Sequence, residues 1–118
     1  MNKRSKMQIK RKINGVRWTF KIITPDEMKE HSEGAANAGL TVASEKTVYI
    51  ENEEVNYGII MHELCHVYIS NLYVDDTTEL KIGDFEEMIC AMLADRGEEI
   101  IRKAKKITKE LKKLQEGK

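Results

Sequence analysis

The sequence predicts a small α+β domain in which a twisted, mostly antiparallel sheet packs against two helices. The 118 residues are the length of one domain. Alternation of apolar and polar residues, the pattern of strands, is confined to the first half of the chain, and two long helical segments follow it. The single proline, seven glycines and two cysteines exclude collagen-like, low-complexity and disulfide-stapled designs.

Two hairpins are predicted in the first half of the chain. Asn14-Gly15 is a two-residue turn signal between residues 10–13 and residues 16–23, and the second of these arms alternates apolar and polar side chains. Residues 39–51 supply a second pair of β-rich arms, joined by the polar or small residues 43–46. Residues 1–12 are expected to form a basic tail.

Two shorter helices are predicted before the C-terminal one. Thr24 and Glu27 form a capping-box signal for a helix that ends near Gly34. Asn52 is the predicted cap of the next helix, which runs to about Tyr73. This second helix has apolar residues on opposite sides, as is typical of a buried central helix.

The last helix is predicted over residues 85–115, with Asp84 as its cap and Gly97 as a point where it breaks or bends. Residues 98–115 form its basic part. Its first part carries an apolar stripe that is expected to enter the core, formed by Phe85, Met88, Ile89, Met92 and Leu93.

The net charge is zero, but the charges are unevenly spread. Residues 1–17 hold seven bases and no acid, residues 26–54 hold eight acids and two bases, and residues 102–118 hold eight bases and two acids. Basic ends can attract a polyanion, although a solvated tail and helix face are the ordinary explanation. Because no apolar run reaches the roughly 20 residues of a membrane span and no secretory signal is recognisable, we expect a cytoplasmic protein without membrane contacts.

The residues that indicate chemistry are His62-Glu63-Leu64-Cys65-His66, in the middle of the predicted buried helix. The i, i+4 spacing puts both imidazoles on one helix face, where two nitrogens can bind Zn²⁺ at about 2.0–2.1 Å. Glu63 is rotated about 100° from His62, beside the metal, where it can take a proton from water. Two core histidines are the alternative, but burying them without a metal or partners is costly.

A third zinc ligand must come from elsewhere, and Glu87 is the preferred candidate. Small residues follow it at Cys90, Ala91 and Ala94, which would let the helix approach the histidines closely. Its alternative role is a capping-box contact with Asp84. The other candidate ligands are Glu86, Asp75, Asp76, Glu79, Asp84 and Cys90.

A strand pair, an H-E-x-x-H helix and a downstream glutamate resemble the gluzincin clan of zinc metallopeptidases. The size and layout over residues 38–97 are similar to the minimal phage-type metallopeptidases related to the ImmA/IrrE family. The resemblance implies a zincin-like fold, and it likens Thr47–Ile50 to the strand that borders the substrate cleft. Many gluzincins have an aspartate four residues after the ligand glutamate, whereas this chain has Ala91.

The expected function is therefore zinc-dependent hydrolysis of a peptide or protein, with His62, His66 and Glu87 as ligands and Glu63 as the base. The sheet edge near Val48 would hold the substrate as an added strand. Tyr73 shares a face with His66 and is a candidate to steady an oxyanion, although closing the helix end is the commoner role of such a tyrosine.

Two other classes of function remain open. The chain could be a regulatory or inhibitor protein of a phage or mobile element, in which zinc has a structural role and there is no peptidase activity. A fourth protein ligand on the zinc would favour this alternative, whereas the intact Glu63 argues against it. A nucleic-acid-binding domain using the basic ends ranks last, because no aromatic residues interleave the basic runs. The sequence leaves the oligomeric state open.

Overall fold

A four-stranded mixed sheet and three α-helices make up residues 7–32, 37–72 and 82–117, the parts of the chain that the computed structural model describes. A short 3₁₀ turn joins the third and fourth strands. In chain order the elements are β1 (Gln8–Ile13), β2 (Val16–Ile23), α1 (Pro25–His31), β3 (Gly39–Val42), β4 (Thr47–Glu51), α2 (Tyr57–Leu72) and α3 (Ile82–Glu116).

The first hairpin forms as predicted. Asn14 and Gly15 both have positive φ, 53° and 80°, which is the conformation that a two-residue turn between right-handed twisted strands requires. The turn aligns Ile13 with Val16. Strand β1 already begins at Gln8, so residues 8–12 belong to the sheet rather than to a tail, and residues 1–6 lie outside the described residues.

The strand order is β1-β2-β4-β3, with β2 and β4 parallel and the other two pairs antiparallel. Strand β4 is interior because its three central residues, Val48, Tyr49 and Ile50, are all buried, and a run that is apolar on both faces is typical of a central strand. The expectation that Val48 lies at a sheet edge is therefore wrong. The edge strand on that side is β3.

The main core lies between the sheet and helices α2 and α3. One sheet face contributes Trp18 and Phe20, and α2 contributes Ile60 and Leu64, all of them fully buried. Helix α1 covers the other sheet face through Met28, in a smaller cluster. Over the described ranges, none of the helices combines the length and the apolar character needed to cross a bilayer.

Capping decides where the shorter helices begin. The capping box of Thr24 and Glu27 is present in both directions, at 3.1 and 3.2 Å, so that prediction is confirmed. The cap of α2 is Asn56, whose Oδ1 accepts from the Ile59 amide at 3.0 Å. The prediction of Asn52 as the cap is wrong, because α2 begins only at Tyr57. The Asn52 N–H donates to the Ile23 carbonyl at 2.8 Å.

Helix α3 is continuous through Gly97 and begins before Asp84, which is thus inside the helix. The predicted core stripe of its first part is largely wrong, because Phe85, Ile89 and Leu93 are 45%, 44% and 51% exposed and only Met92 is buried. The cause is the position of α3 along α2, shown by the hydrogen bond of Tyr68 to Glu99. Since α2 ends at Leu72, the residues well before Glu99 extend past it.

Candidate metal centre

The two motif histidines lie side by side on the outer face of α2. The centroids of the His62 and His66 rings are 5.0 Å apart and the rings meet edge to face. Both side chains are exposed, 67% in the case of His62. Two imidazoles on one tetrahedral ion, each with its nitrogen at about 2.0–2.1 Å, have centroids about 5 Å apart, which is the ring spacing of this pair.

Glu63 is buried beside this pair, with 6% of its surface exposed. Its two carboxylate oxygens have different surroundings. Oε1 accepts a hydrogen bond from the Thr41 hydroxyl at 2.8 Å, while Oε2 lies 4.0 Å from Nε2 of His62. The Thr41 hydroxyl is also 3.2 Å from the main-chain carbonyl of Glu63. One oxygen is thereby held by the sheet edge, and the other is directed towards the imidazole.

Gly39 gives the Glu63 side chain the room that this arrangement needs. A Cβ at Gly39 would lie 2.9 Å from both Cγ and Oε2 of Glu63, closer than real Cβ contacts come. Neither Gly39 nor Thr41 was predicted from the sequence as a site residue. The available signal was a glycine beside a strand pattern, which often marks the close approach of another group to the backbone.

The structure does not bring Glu87 to the two histidines. Glu86 and Glu87 are both exposed, twelve to thirteen residues before Glu99, or about 18–20 Å along α3. The small residues expected to permit close approach, Cys90, Ala91 and Ala94, are exposed as well. Within residues 7–32, 37–72 and 82–117, no three His, Cys, Asp or Glu side chains converge closely enough to hold a metal ion.

Most of the remaining candidate site residues cannot be located relative to the two histidines. Tyr73, Asp75, Asp76 and Glu79 lie outside the described residues, so the structure does not place them. Within the motif, Cys65 is half-buried, and burial raises the pKa of its thiol.

His31 lies on the sheet face opposite α2. Its ring stacks on Tyr49, with the ring centroids 4.0 Å apart. Burial and the hydrogen bond donated to Glu45 raise the pKa of Tyr49 to about 12. Since Tyr49 packs with Met28 of α1, this pair is a structural contact away from the histidines.

Comparison with known proteins gives no match: no protein-family model, no curated protein and no solved structure is similar to this chain. The interpretation of the site thus depends on the motif and its geometry.

Proposed function

We propose that this chain is a zinc-dependent peptidase of zincin-like design. The observation that carries the proposal is the position of Glu63, a buried carboxylate whose Oε2 lies 4.0 Å from Nε2 of His62, one of two adjacent exposed imidazoles. A zinc site that serves structure alone has no need of a carboxylate held in this position. His62 and His66 would hold the ion, and a third ligand, for which Glu87 remains our candidate, would complete the set.

When bound, Zn²⁺ supplies a Lewis acid that polarises the scissile carbonyl and makes water more acidic. Glu63 does the proton transfers. Its Oε2 accepts a proton from the attacking water and later donates it to the nitrogen of the leaving amine. Thr41 keeps the other oxygen, Oε1, occupied, so that a single oxygen of the carboxylate faces the reacting groups.

The free edge of β3 is the proposed site of the peptide substrate. Among the described strands, β3 pairs on one side alone, with β4. An extended peptide can add to such an edge as a further strand through main-chain hydrogen bonds. Because Gly39 and Thr41 of this strand contact Glu63, a peptide bound there would pass close to the base.

Zinc analysis and one substitution test the proposal. The purified chain is expected to contain about one zinc per molecule, measured by elemental analysis. It should cleave fluorescein-labelled casein in a zinc-dependent manner. Glu63→Gln should retain zinc and the fold but lose at least about 100-fold in rate, because the amide cannot act as a base at neutral pH.

Glu30→Gln is the matched control, since Glu30 is an exposed carboxylate on α1. It should behave as the parent. Absence of zinc after loading, or cleavage by Glu63→Gln at the parental rate, would contradict the proposal.

A further inference from the structure

The second half of α3 carries an exposed face made of basic side chains. Its inner face is fixed in the core by Ile100, Ala104, Ile107 and Leu111, which are 0–3% exposed. The opposite face therefore has a defined direction towards solvent. It carries six exposed cations along about 16 Å of helix: Arg102, Lys105, Lys106, Lys109, Lys112 and Lys113.

Among the described residues, the cations of this basic face form no ion pair. The single acid between residues 102 and 113 is Glu110, and it forms an ion pair with Arg11 of β1. The cations are instead neighbours of one another at i, i+3 and i, i+4, as in Arg102–Lys106 and Lys105–Lys109. Like charges at these spacings destabilise a helix.

The helix dipole explains only the end of this pattern. A cation near the C-terminus of a helix is stabilising, but the effect falls off within the last turn. Helix α3 ends at Glu116, so Lys113 benefits, whereas Arg102, Lys105 and Lys106 are two or more turns away. A negatively charged partner would offset the repulsion among those cations that the helix dipole does not compensate.

We propose that the basic face of α3 binds the phosphate backbone of double-stranded DNA. The face lacks the row of apolar side chains that a membrane-surface helix inserts into lipid. In the described second half of α3, Ile101, at 41% exposure, is the one exposed large hydrophobic residue. It also has no aromatic residue on which unpaired bases would stack.

The shape of the surface favours B-form DNA. The major groove of B-DNA admits an α-helix, whereas that of A-form RNA is too narrow for side chains to read. Lysines make phosphate contacts that carry no sequence information, so the binding is sequence-independent. This inference does not depend on zinc or on peptidase activity.

Fluorescence anisotropy with a labelled 20-base-pair duplex tests the proposal on the full chain. We expect micromolar binding at about 50 mM salt, weakening steeply with salt, by about 0.9 logarithmic units per unit of log salt for each phosphate contacted. Lys105→Gln with Lys109→Gln should weaken binding at least ten-fold and make the salt slope shallower by about 2. Each single substitution should account for about half of that change.

Lys29→Glu changes the net charge by the same amount and lies on α1, away from this face, so it should alter binding less than two-fold. Without DNA, the double variant should melt at the parental temperature or above, because it removes like-charge neighbours. The proposal is overturned if the parent shows no salt-dependent binding, if Lys29→Glu is equally damaging, or if oligo-dT or phosphatidylserine vesicles bind more tightly than the duplex.

Discussion

The Thr41 hydroxyl is the one described side-chain hydrogen-bond donor to Glu63, and this makes its role testable. Thr41→Val keeps the shape of the side chain and removes the hydroxyl, so Oε1 of a buried carboxylate loses its donor. We expect hydrolysis to fall ten-fold or more because Glu63 is no longer held in one orientation. Thr41→Ser retains the hydroxyl and should restore most of the rate.

Zinc content separates this effect from loss of the metal site. It should stay near one per chain in both Thr41 variants, since neither touches His62 or His66. Equal rates in Thr41→Val and Thr41→Ser would show that the hydrogen bond does not position the base. An unfolding measurement is also informative, because leaving a buried acceptor without its partner costs about 1–3 kcal/mol.

A second prediction at the scale of single residues concerns the identity of the third zinc ligand. Glu87→Ala is expected to weaken zinc binding ten-fold or more, while Glu86→Ala should change it little. Because Glu87 lies beyond the end of α2, the prediction requires α3 to break before Glu99, so that its first turns fold back against α2 when the metal binds. Their exposed residues Phe85, Ile89 and Leu93 offer an apolar surface for that contact.

Zinc affinity and the stability of the metal-free protein should be measured separately for both glutamate variants. Lost affinity in Glu86→Ala alone would show that the neighbour is the ligand. Normal affinity in both variants would direct the search to the candidates Asp75, Asp76, Glu79, Asp84 and Cys90. A loss of stability with normal affinity in Glu87→Ala would show that this side chain supports the helix rather than the metal.

At the scale of elements, Asn71 ties α2 to the first hairpin. Its Oδ1 accepts from the indole N–H of Trp18 at 3.2 Å, and its Nδ2 donates to the Ile13 carbonyl at 3.1 Å. Asn71→Ala leaves the N–H of the fully buried Trp18 without this acceptor, so it should cost about 1–3 kcal/mol of unfolding free energy in urea titration. Asn52→Ala, at an exposed turn, should cost much less; similar losses would contradict the link.

Local patterns predicted the elements well because each pattern is decided by neighbours in sequence. The turn at Asn14-Gly15 and the capping box at Thr24 form where they were expected. The spacing of His62 and His66 likewise brings the two rings together. In contrast, how far one helix slides along another is not set by periodicity, because an apolar stripe repeats at every turn. The sequence could therefore not place Glu87 relative to α2.

At the scale of the whole molecule, a chain of side-chain hydrogen bonds connects α2, α3 and the first hairpin. It is formed by Tyr68, Glu99, Arg96 and Asn14. The Tyr68 hydroxyl donates to Glu99, and Arg96 lies 3.4 Å from Glu99 and 3.3 Å from Oδ1 of Asn14. The Tyr68 hydrogen bond, with help from Lys103 and Arg96, lowers the pKa of Glu99 below its ordinary value. Burial and the same hydrogen bond raise the pKa of Tyr68.

These two shifts predict a stability profile that falls at both ends of the pH range. Ionised Glu99 contributes stability that is complete above the ordinary carboxyl pKa of about 4.3 and is lost as the pH falls through its lowered folded value. Neutral Tyr68 contributes stability that is complete below about pH 10 and is lost at higher pH. Glu99→Gln should therefore flatten the fall in melting temperature between about pH 5 and 3. Glu98→Gln, its exposed neighbour, should leave that fall unchanged.

Sheet order was the global feature that the sequence left open, and it changed the interpretation of the site. The substrate was expected to bind at β4, whereas β4 is interior and β3 forms the edge that contacts Glu63. Strand pairing between distant segments depends on the whole core. No local pattern could therefore show which arm of the second hairpin is the edge strand and which is interior. The contacts of Thr41 and Gly39 with Glu63 follow from that order.

The parallel pairing of β2 with β4 also has a consequence for how the chain folds. β1–β2 and β3–β4 each join strands adjacent in sequence, so either hairpin can form early through short-range loop closure. The β2–β4 contact, with Phe20 opposite Val48, instead closes a loop that contains α1 and β3. Assembly of the sheet thus depends on one long-range step, and of the three strand pairings this one has the largest loop-closure entropy and is expected to form last.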